Sequence, residues 1–514
     1  MTTGAYGGGR TMRRLNDDIM ANILARLPAV SFAAAACVNK TWNRLSSQIL
    51  SRPKLASALS LNPSLIHAVR EVLDNVLSKP IRPHFAIAFI SEKYGLRLAH
   101  MLINDRLKNR VPLVVHISHG VMGKDVLSDE LREVKWEYFD YSGDHPRECN
   151  VYGNINKGVV LVLGFVPGLK VDAIPLFRPR QDPGGEQADR FLADIKAFTA
   201  AASGHESPAA IMMFGDRRSN MNSVVAKMDH ALPKETVMIG DAGGCFLFNS
   251  MNHTITTPNS YVLDAVALVF AEDKDKSPDV GETEFNVVLA EGLVPFGPPF
   301  EVIVVGMNPS QEWTVFSARM EGCDVILSSD AVFETVLDTV SDPNFELYIG
   351  VTQRRGEEES LFFYRVLSGE GIHFVVDGIG LKPGDSFVFY HTDKDGAVTS
   401  RDIACENLET LKEIGDENES DVFGGLIFAS KFRGKAYFGE ENGDVMPLSE
   451  NFPGVAIAGS FCDGEIGRGW CSFVTETEAE EEEDEETSGR CSLRAFSALY
   501  LAMSYVTASA AIHR

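Results

Sequence analysis

The stretch HFAIAFIS, residues 84–91, constrains the fold more than any other part of the chain. Six apolar residues in a row, Phe85 to Ile90, are too few for a helix of ordinary length and show no alternation, so they read as a buried strand. The amphipathic, helix-like EKYGLRLAHMLINDRLKNR follows, and then a second strand, VPLVVHIS. The rhythm returns in helix EQADRFLADIKAFTAAA, strand AAIMMFG, helix SNMNSVVAKMDHAL and strand TVMIGDA. Such alternation predicts a sheet that is at least partly parallel and covered by helices, with room for antiparallel strands. Between the two units, KGVVLVLGFV and LKVDAIPLF flank Pro167-Gly168 and predict a hairpin. Past the acidic loop EDKDKSPDVGETE, 272–284, short strands dominate, with helices near DAVFETVLDTV and 402–414.

The N-terminal segment has a different period. Leu15, Ile19, Ile23 and Leu27 stand four apart with Leu24 beside them, which places them along one side of a helix. Asn16 is suited to cap it, Asp17 and Asp18 favour its positive end, and Pro28 argues against its continuing. Phe32, Ala36, Val38, Trp42, Leu45 and Ile49 then fall at helical spacings over two short helices. A further helix lies between Pro63 and Pro80, and the first domain boundary is placed around 62–80.

Composition narrows the function. With 72 acidic and 47 basic residues, the chain carries a formal charge of −25, which argues against general binding to nucleic acid or anionic membranes. No apolar run reaches the ~20 residues of a membrane span. Residues 1–10 lack the apolar core of a secretory signal and read as a flexible tail. The eight cysteines are scattered without a CxxC pair, which suits reduced thiols in the cytoplasm or nucleus. There is no GxxxxGK[ST], GxSxG or GxGxxG motif in the required context, and no catalytic constellation. His116 and His119 in VHISHG are too few for a metal site, and no metal or cofactor is predicted.

Amphipathicity alone would fit a helical hairpin packed on the chain's own body. Read in order, however, LNDDIMANILARLP followed by CVNKTWNRL resembles the F-box, the helical module that docks on the Skp1-type adaptor of cullin–RING ubiquitin ligases. The proline usual after the first leucine is Asn16 here. The resemblance implies adaptor contacts from Leu15, Ile19, Ile23, Leu24, Leu27, Pro28, Phe32, Cys37, Val38 and Trp42. About fifty residues make a poor self-sufficient core, which also turns this segment toward a partner.

The remainder resembles the FIST domain. The likeness is carried by VPLVVHISHGVMG and ETVMIGDAGG, by LAEGLVPFGPPFEV at 289–302, and by AGSFCDGEIG at 458–467. FASKFRG, 428–434, keeps Arg433 and Gly434 of a family motif but has Ser430 where relatives often carry cysteine, which puts thiol chemistry there in doubt. In DGEIG, Gly464 and Gly467 permit close backbone approach and Glu465 could hold an amine or guanidinium; a tight turn with the glutamate capping amides is the competing reading. Together with Arg433 these are the candidate ligand residues. GDAGG, 240–244, precedes CFLFNS and not a helix, so a strand turn suits it better than an anion cradle.

The sequence therefore predicts an α+β or α/β chain: a tail at 1–10, an all-α F-box at 11–60 and a helical linker at 61–83. A two-lobed FIST body of mixed sheets covered by helices would follow, divided at 84–284 and 285–514, with a disordered acidic loop at 476–488. The function implied is the non-catalytic substrate receptor of a cullin–RING ligase. It would bind the Skp1-type adaptor, and through it cullin and RING subunits, and deliver an unnamed protein for ubiquitination and proteasomal degradation. The alternative is an intracellular sensor of an amino-acid-like small ligand.

Overall fold

A computed structural model describes residues 16–136, 139–140, 147–148, 156–179, 187–251, 261–307, 313–340, 345–355, 358–417, 420–468 and 491–508. The predicted tail at 1–10, Leu15 and the acidic loop at 476–488 lie outside the described residues. The chain divides into two units, Met1–Arg52 with Leu77–Arg82, and Pro53–Val76 with Pro83–Arg514.

The first unit holds three helices, Asp17–Ala25, Ala29–Ala36 and Lys40–Leu50. Asn16 caps the first by accepting from the Asp18 amide at 3.4 Å, and Asn39 caps the third by accepting from the Trp42 amide at 2.9 Å. Both satisfy amides that a helix start leaves open. Leu24, Phe32, Ala35 and Leu45 form a small core, with Leu27 and Trp42 packed at its edge.

The second unit begins earlier than the predicted boundary. Lys54–Ser60 is not part of the helical module but a strand, paired antiparallel with Val159–Phe165 from Lys54↔Phe165 to Ser60↔Val159. Pro53 disfavours helix for the residue before it, and Leu55, Ala58 and Leu59 are buried once the segment is extended. The supposed linker helix, Leu65–Val76, buries the stripe Leu65, Ala68, Val69, Val72, Leu73 and Val76 in this same unit.

Among the described residues, three mixed sheets, a barrel and the small pair Phe139–Asp140 with Arg147–Glu148 make up the body. The first sheet runs in the order Lys54–Ser60, Val159–Phe165, Phe85–Ser91, Leu113–Ser118, Phe246–Asn249. The second runs Ser492–Arg494, Glu465–Gly467, Val237–Gly244, Ala210–Asp216, Tyr261–Glu272, Leu169–Pro179. The third runs Glu282–Ala290, Ala498–Val506, Ser420–Ser430, Ala456–Cys462, Gly120–Lys124, Leu131–Lys135. Each contains one parallel pair: Phe85–Ser91 with Leu113–Ser118, Ala210–Asp216 with Val237–Gly244, and Ser420–Ser430 with Ala456–Cys462. Helices Leu96–Leu107 and Met221–Ala231 are the crossovers of the first two. The sequence signature of a mixed, helix-covered sheet is thus realised three times.

The predicted hairpin around Pro167-Gly168 does not form. Val159–Phe165 belongs to the first sheet and Leu169–Pro179 to the second, where it pairs with Tyr261–Glu272 along its whole length. The same change of sheet occurs after GDAGG, which is the end of strand Val237–Gly244 and not a separate turn.

A division at 284/285 does not separate two sets of sheets either. Gly120–Lys124 and Leu131–Lys135 of the first half lie in the third sheet, where Ala458 pairs with Gly123. In return, Glu465–Gly467 and Ser492–Arg494 of the second half lie in the second sheet, where Asp241 pairs with Glu465. One core joins all three sheets: the Phe89 ring centroid is 6.1 Å from Phe214 and 5.9 Å from Phe428.

The short strands past residue 292 close into a six-stranded barrel of Leu293–Met307, Trp313–Met320, His373–Asp377, Glu358–Glu370, Leu347–Arg355 and Ser386–Thr392. Phe300, Phe316, Phe374, Phe387 and Phe389 belong to its buried core. The GPPF segment interrupts the first strand, shifting register between Phe296 and Phe300, with Gly297 at φ +75°.

Candidate functional site

A cleft of about 330 Å³ opens where the parallel strands end. His119 follows Leu113–Ser118, Arg217 follows Ala210–Asp216, Lys431 follows Ser420–Ser430 and Asp463 follows Ala456–Cys462, and all four line it. The carboxyl ends of parallel strands are where open α/β sheets gather ligand groups. Tyr348, Tyr364, Arg365 and Asp377 of the barrel and Arg494 on the second sheet add to the polar lining.

Charge of both signs meets in this cleft. Lys431 Nζ lies 2.6 Å from Asp463 Oδ1, and His119 Nε2 lies 3.7 Å from Asp463 Oδ2. Burial alone would raise the Asp463 carboxyl, but Lys431 and His119 outweigh it and hold the group well below the usual carboxylate range. Arg365 reaches Glu346 at 3.3 Å and Asp377 at 3.7 Å, while its buried Nε has no hydrogen-bond partner among the described residues. Arg494 pairs with Glu291 at 2.9 Å.

Glu465 behaves differently from its neighbour. Its carboxylate accepts from the Ser497 hydroxyl at 3.0 Å and, more weakly, from the Ser497 amide at 3.4 Å. Burial pushes it up to about 8 against those hydrogen bonds, with Asp241 and Asp463 adding to the rise. At neutral pH it is chiefly protonated, so Asp463, one residue beyond Cys462, is the ionised carboxylate of the pair. Asp241 is raised to about 6, again chiefly by burial.

The structure sorts the sequence candidates. Gly464 and Glu465 line the cleft, and Gly464 adopts φ +138°. Gly467 does not line it: a Cβ there would meet the Leu499 side chain at 2.5 Å, so this glycine serves strand packing. Arg433 is fully buried and does not line the cleft, donating to Asp444 Oδ1 from Nε at 3.0 Å and from Nη2 at 2.9 Å. Its role is that of a buried ion pair, not a ligand group. Ser430 also lines the cleft. The two histidines part: His116 is buried, 3.8 Å from Asp241, and pushed down to about 3 by burial, so the neutral ring makes no ion pair there. Among the described residues no cluster of three or more His, Cys, Asp or Glu could hold a metal. Sequence reasoning missed Lys431, Arg365 and Arg494; for Lys431, as for Asp463, the only signal was its position just after a strand.

On the helical unit, the implied adaptor residues also divide. Ile19, Ile23 and Val38 are exposed at 52%, 46% and 61%, and Pro28 and Cys37 are exposed with them. Leu24 and Phe32 are 1% and 4% exposed, so they build the module's interior and are not surface contacts. Leu27 and Trp42 are half-buried at the edge of that core.

The F-box domain family matches residues 12–52 of the chain. The chain is also 34% identical over 510 residues to an F-box/LRR-repeat protein of Arabidopsis thaliana, a match covering 96% of this chain and 93% of that relative. It belongs to the F-box proteins. F-box domains bind Skp1-type adaptors, and F-box proteins in general act as substrate receptors, not catalysts, of cullin–RING ligases. The leucine-rich repeats in the relative's name have no counterpart among the described residues here, whose sheets are mixed and whose barrel is antiparallel.

Proposed function

We propose that this F-box protein binds its adaptor through Ile19, Ile23 and Val38 and selects a protein target with the body, which we assign to the FIST domain. The observation that carries the reading is the exposure of these three apolar side chains on a small helical module that matches the F-box family. Exposed aliphatic groups of this kind are what an interface buries. The chemistry is proximity: a lysine of the bound target is held near the thioester of the conjugating enzyme, raising its effective concentration. Ubiquitination and proteasomal degradation of the target follow, in the cytoplasm or nucleus.

Affinity capture with and without proteasome inhibition tests this reading, comparing wild type with Ile23→Asp plus Val38→Asp. The adaptor is expected to vanish from the variant while body-bound targets remain and accumulate. These exposed positions are better probes than Leu27 and Trp42, whose loss would also loosen the module's core.

The mixed-charge cleft favours a second role beside the first. Lys431, Arg365 and Arg494 near Asp463 and Asp377 offer both signs to one ligand, as an amino-acid-like zwitterion requires. A ligand bound only to the native state stabilises it by RT ln(1 + [L]/Kd), so thermal unfolding against a panel of free amino acids reads this directly. No shift at millimolar ligand in wild type, or the same shift in Asp463→Asn, would sink the sensor role.

A further inference from the structure

A second cavity, of about 500 Å³, lies between helix Met221–Ala231 and the barrel and shares Asn220, Asn222 and Tyr364 with the cleft. Its apolar wall comes from Ala226, Leu232, Phe362 and the Tyr364 ring. Its charged lining is Lys227, Lys234, Lys382 and Arg468 against a single acidic residue, Asp229. Asp229 is already engaged, by Arg468 and by the Cys491 amide at 2.8 Å. Lys227 pairs with Asp189, whereas Lys234 and Lys382 are exposed and make no ion pair among the described residues. In a chain with 72 acidic and 47 basic residues this is a local reversal of sign.

The cavity also holds an open hydrogen-bonding group. Asn222 Nδ2 sits 3.5 Å from the Tyr364 hydroxyl, but its buried Oδ1 has no partner among the described residues. A buried carboxamide oxygen left unmatched costs stability unless something donates to it. The complement of this lining is a molecule that is apolar where it meets Phe362, donates a hydrogen bond to Asn222, and carries several negative charges near Lys234 and Lys382. The basic residues come from three separate segments, the helix and its end, the barrel and the residue after strand Glu465–Gly467. Charge distributed in that way suits carboxylates spaced along a chain better than one compact anion.

We infer that this cavity docks an acidic peptide segment of the delivered protein, with a tyrosine or tryptophan side chain seated against Phe362 and Asn222 and flanking Asp or Glu residues on Lys234 and Lys382. The inference rests on the receptor reading above and names the recognition surface for it. The aromatic ring supplies contact area and its O–H or N–H the missing donor. The flanking carboxylates supply steering and specificity against basic segments.

The test uses the full chain and a fluorescein-labelled peptide of alternating Glu and Asp around a central Tyr, read by anisotropy. Wild type is expected to bind it, to bind the Phe-centred peptide several-fold more weakly, and to ignore a Lys/Arg peptide of the same length. Lys234→Glu with Lys382→Glu is expected to weaken binding at least tenfold without altering the unfolding curve, since both side chains are exposed. Asn222→Ala is expected to abolish the preference for Tyr over Phe. The inference is overturned if the acidic peptide does not bind, or binds the double-Glu variant equally. Full displacement by inorganic phosphate also overturns it, as a plain anion site. Binding that appears only after deletion of 476–487 overturns it in favour of the chain's own acidic run. Adaptor association is followed on the same variants; its loss would tell against the receptor reading separately.

Discussion

Arg433 and Asp444 show how much a single side-chain pair decides in this body. Both are fully buried, the guanidinium makes two hydrogen bonds to one carboxylate oxygen, and its carbon lies 5.0 Å from the Phe438 ring centroid. Removing one partner leaves a buried charge uncompensated, so Asp444→Asn is expected to lower the unfolding free energy by ~3–5 kcal/mol. Denaturant unfolding checks this, and a loss under 1 kcal/mol would contradict it. Glu465 gives a pH-dependent prediction of opposite character. Its native value is raised to about 8 from an ordinary 4.5, so the native state holds the proton more tightly than the unfolded chain. Its contribution is fully present below about pH 4.5 and is lost as pH rises through about 8. Glu465→Gln cannot ionise and escapes that loss. The stability of the variant relative to wild type is therefore expected to increase between pH 5 and pH 8.5; a constant difference across that range would refute the raised value.

At the level of elements, the exchange of strands between the halves has a direct consequence. Residues 120–135 complete the third sheet, and Glu465–Gly467 with Ser492–Arg494 complete the second. Expressed apart, 84–284 and 285–514 would each expose unpaired sheet edges and part of a common core, so neither is expected to unfold cooperatively alone. Cooperative melting of either fragment by circular dichroism would contradict the exchange. The same feature explains what the sequence could and could not show. Strand Phe85–Ser91 and helix Met221–Ala231 were legible because their patterns are local, one an unbroken apolar run and the other a helical period. The hairpin at Pro167-Gly168 was misread because adjacency in sequence says nothing about which sheet a strand joins. Barrel closure past residue 292 was invisible for the same reason: each strand could be read, but its partners are set by distant register. The DGE of DGEIG does line the cleft, but there the ionised group is Asp463 and not Glu465, because burial and Ser497 set Glu465 apart. Lys431, Arg365 and Arg494 lie far apart in the chain and meet only after the third sheet, the barrel and the second sheet have formed.

At the scale of the whole molecule, the chain holds two units with different surface chemistry. The helical unit has a minimal core, Leu24, Phe32, Ala35 and Leu45, and exposed aliphatic side chains. The body has an extensive core and two polar cavities of about 330 and 500 Å³. The proposed receptor role needs such a division, with one unit to join the ligase and another to choose what it receives. Exchanging two aliphatic groups for aspartate at an interface core places unpaired charge where water is excluded, a cost of several kcal/mol. The central measurement is the dissociation constant of the purified full chain for a Skp1-type adaptor, by calorimetry, for wild type and for Ile23→Asp plus Val38→Asp. Adaptor docking through Ile23 and Val38 predicts binding by wild type, at least a hundredfold loss in the variant, and superimposable unfolding curves for the two proteins. Equal affinity of the two, or no association of wild type, would contradict it.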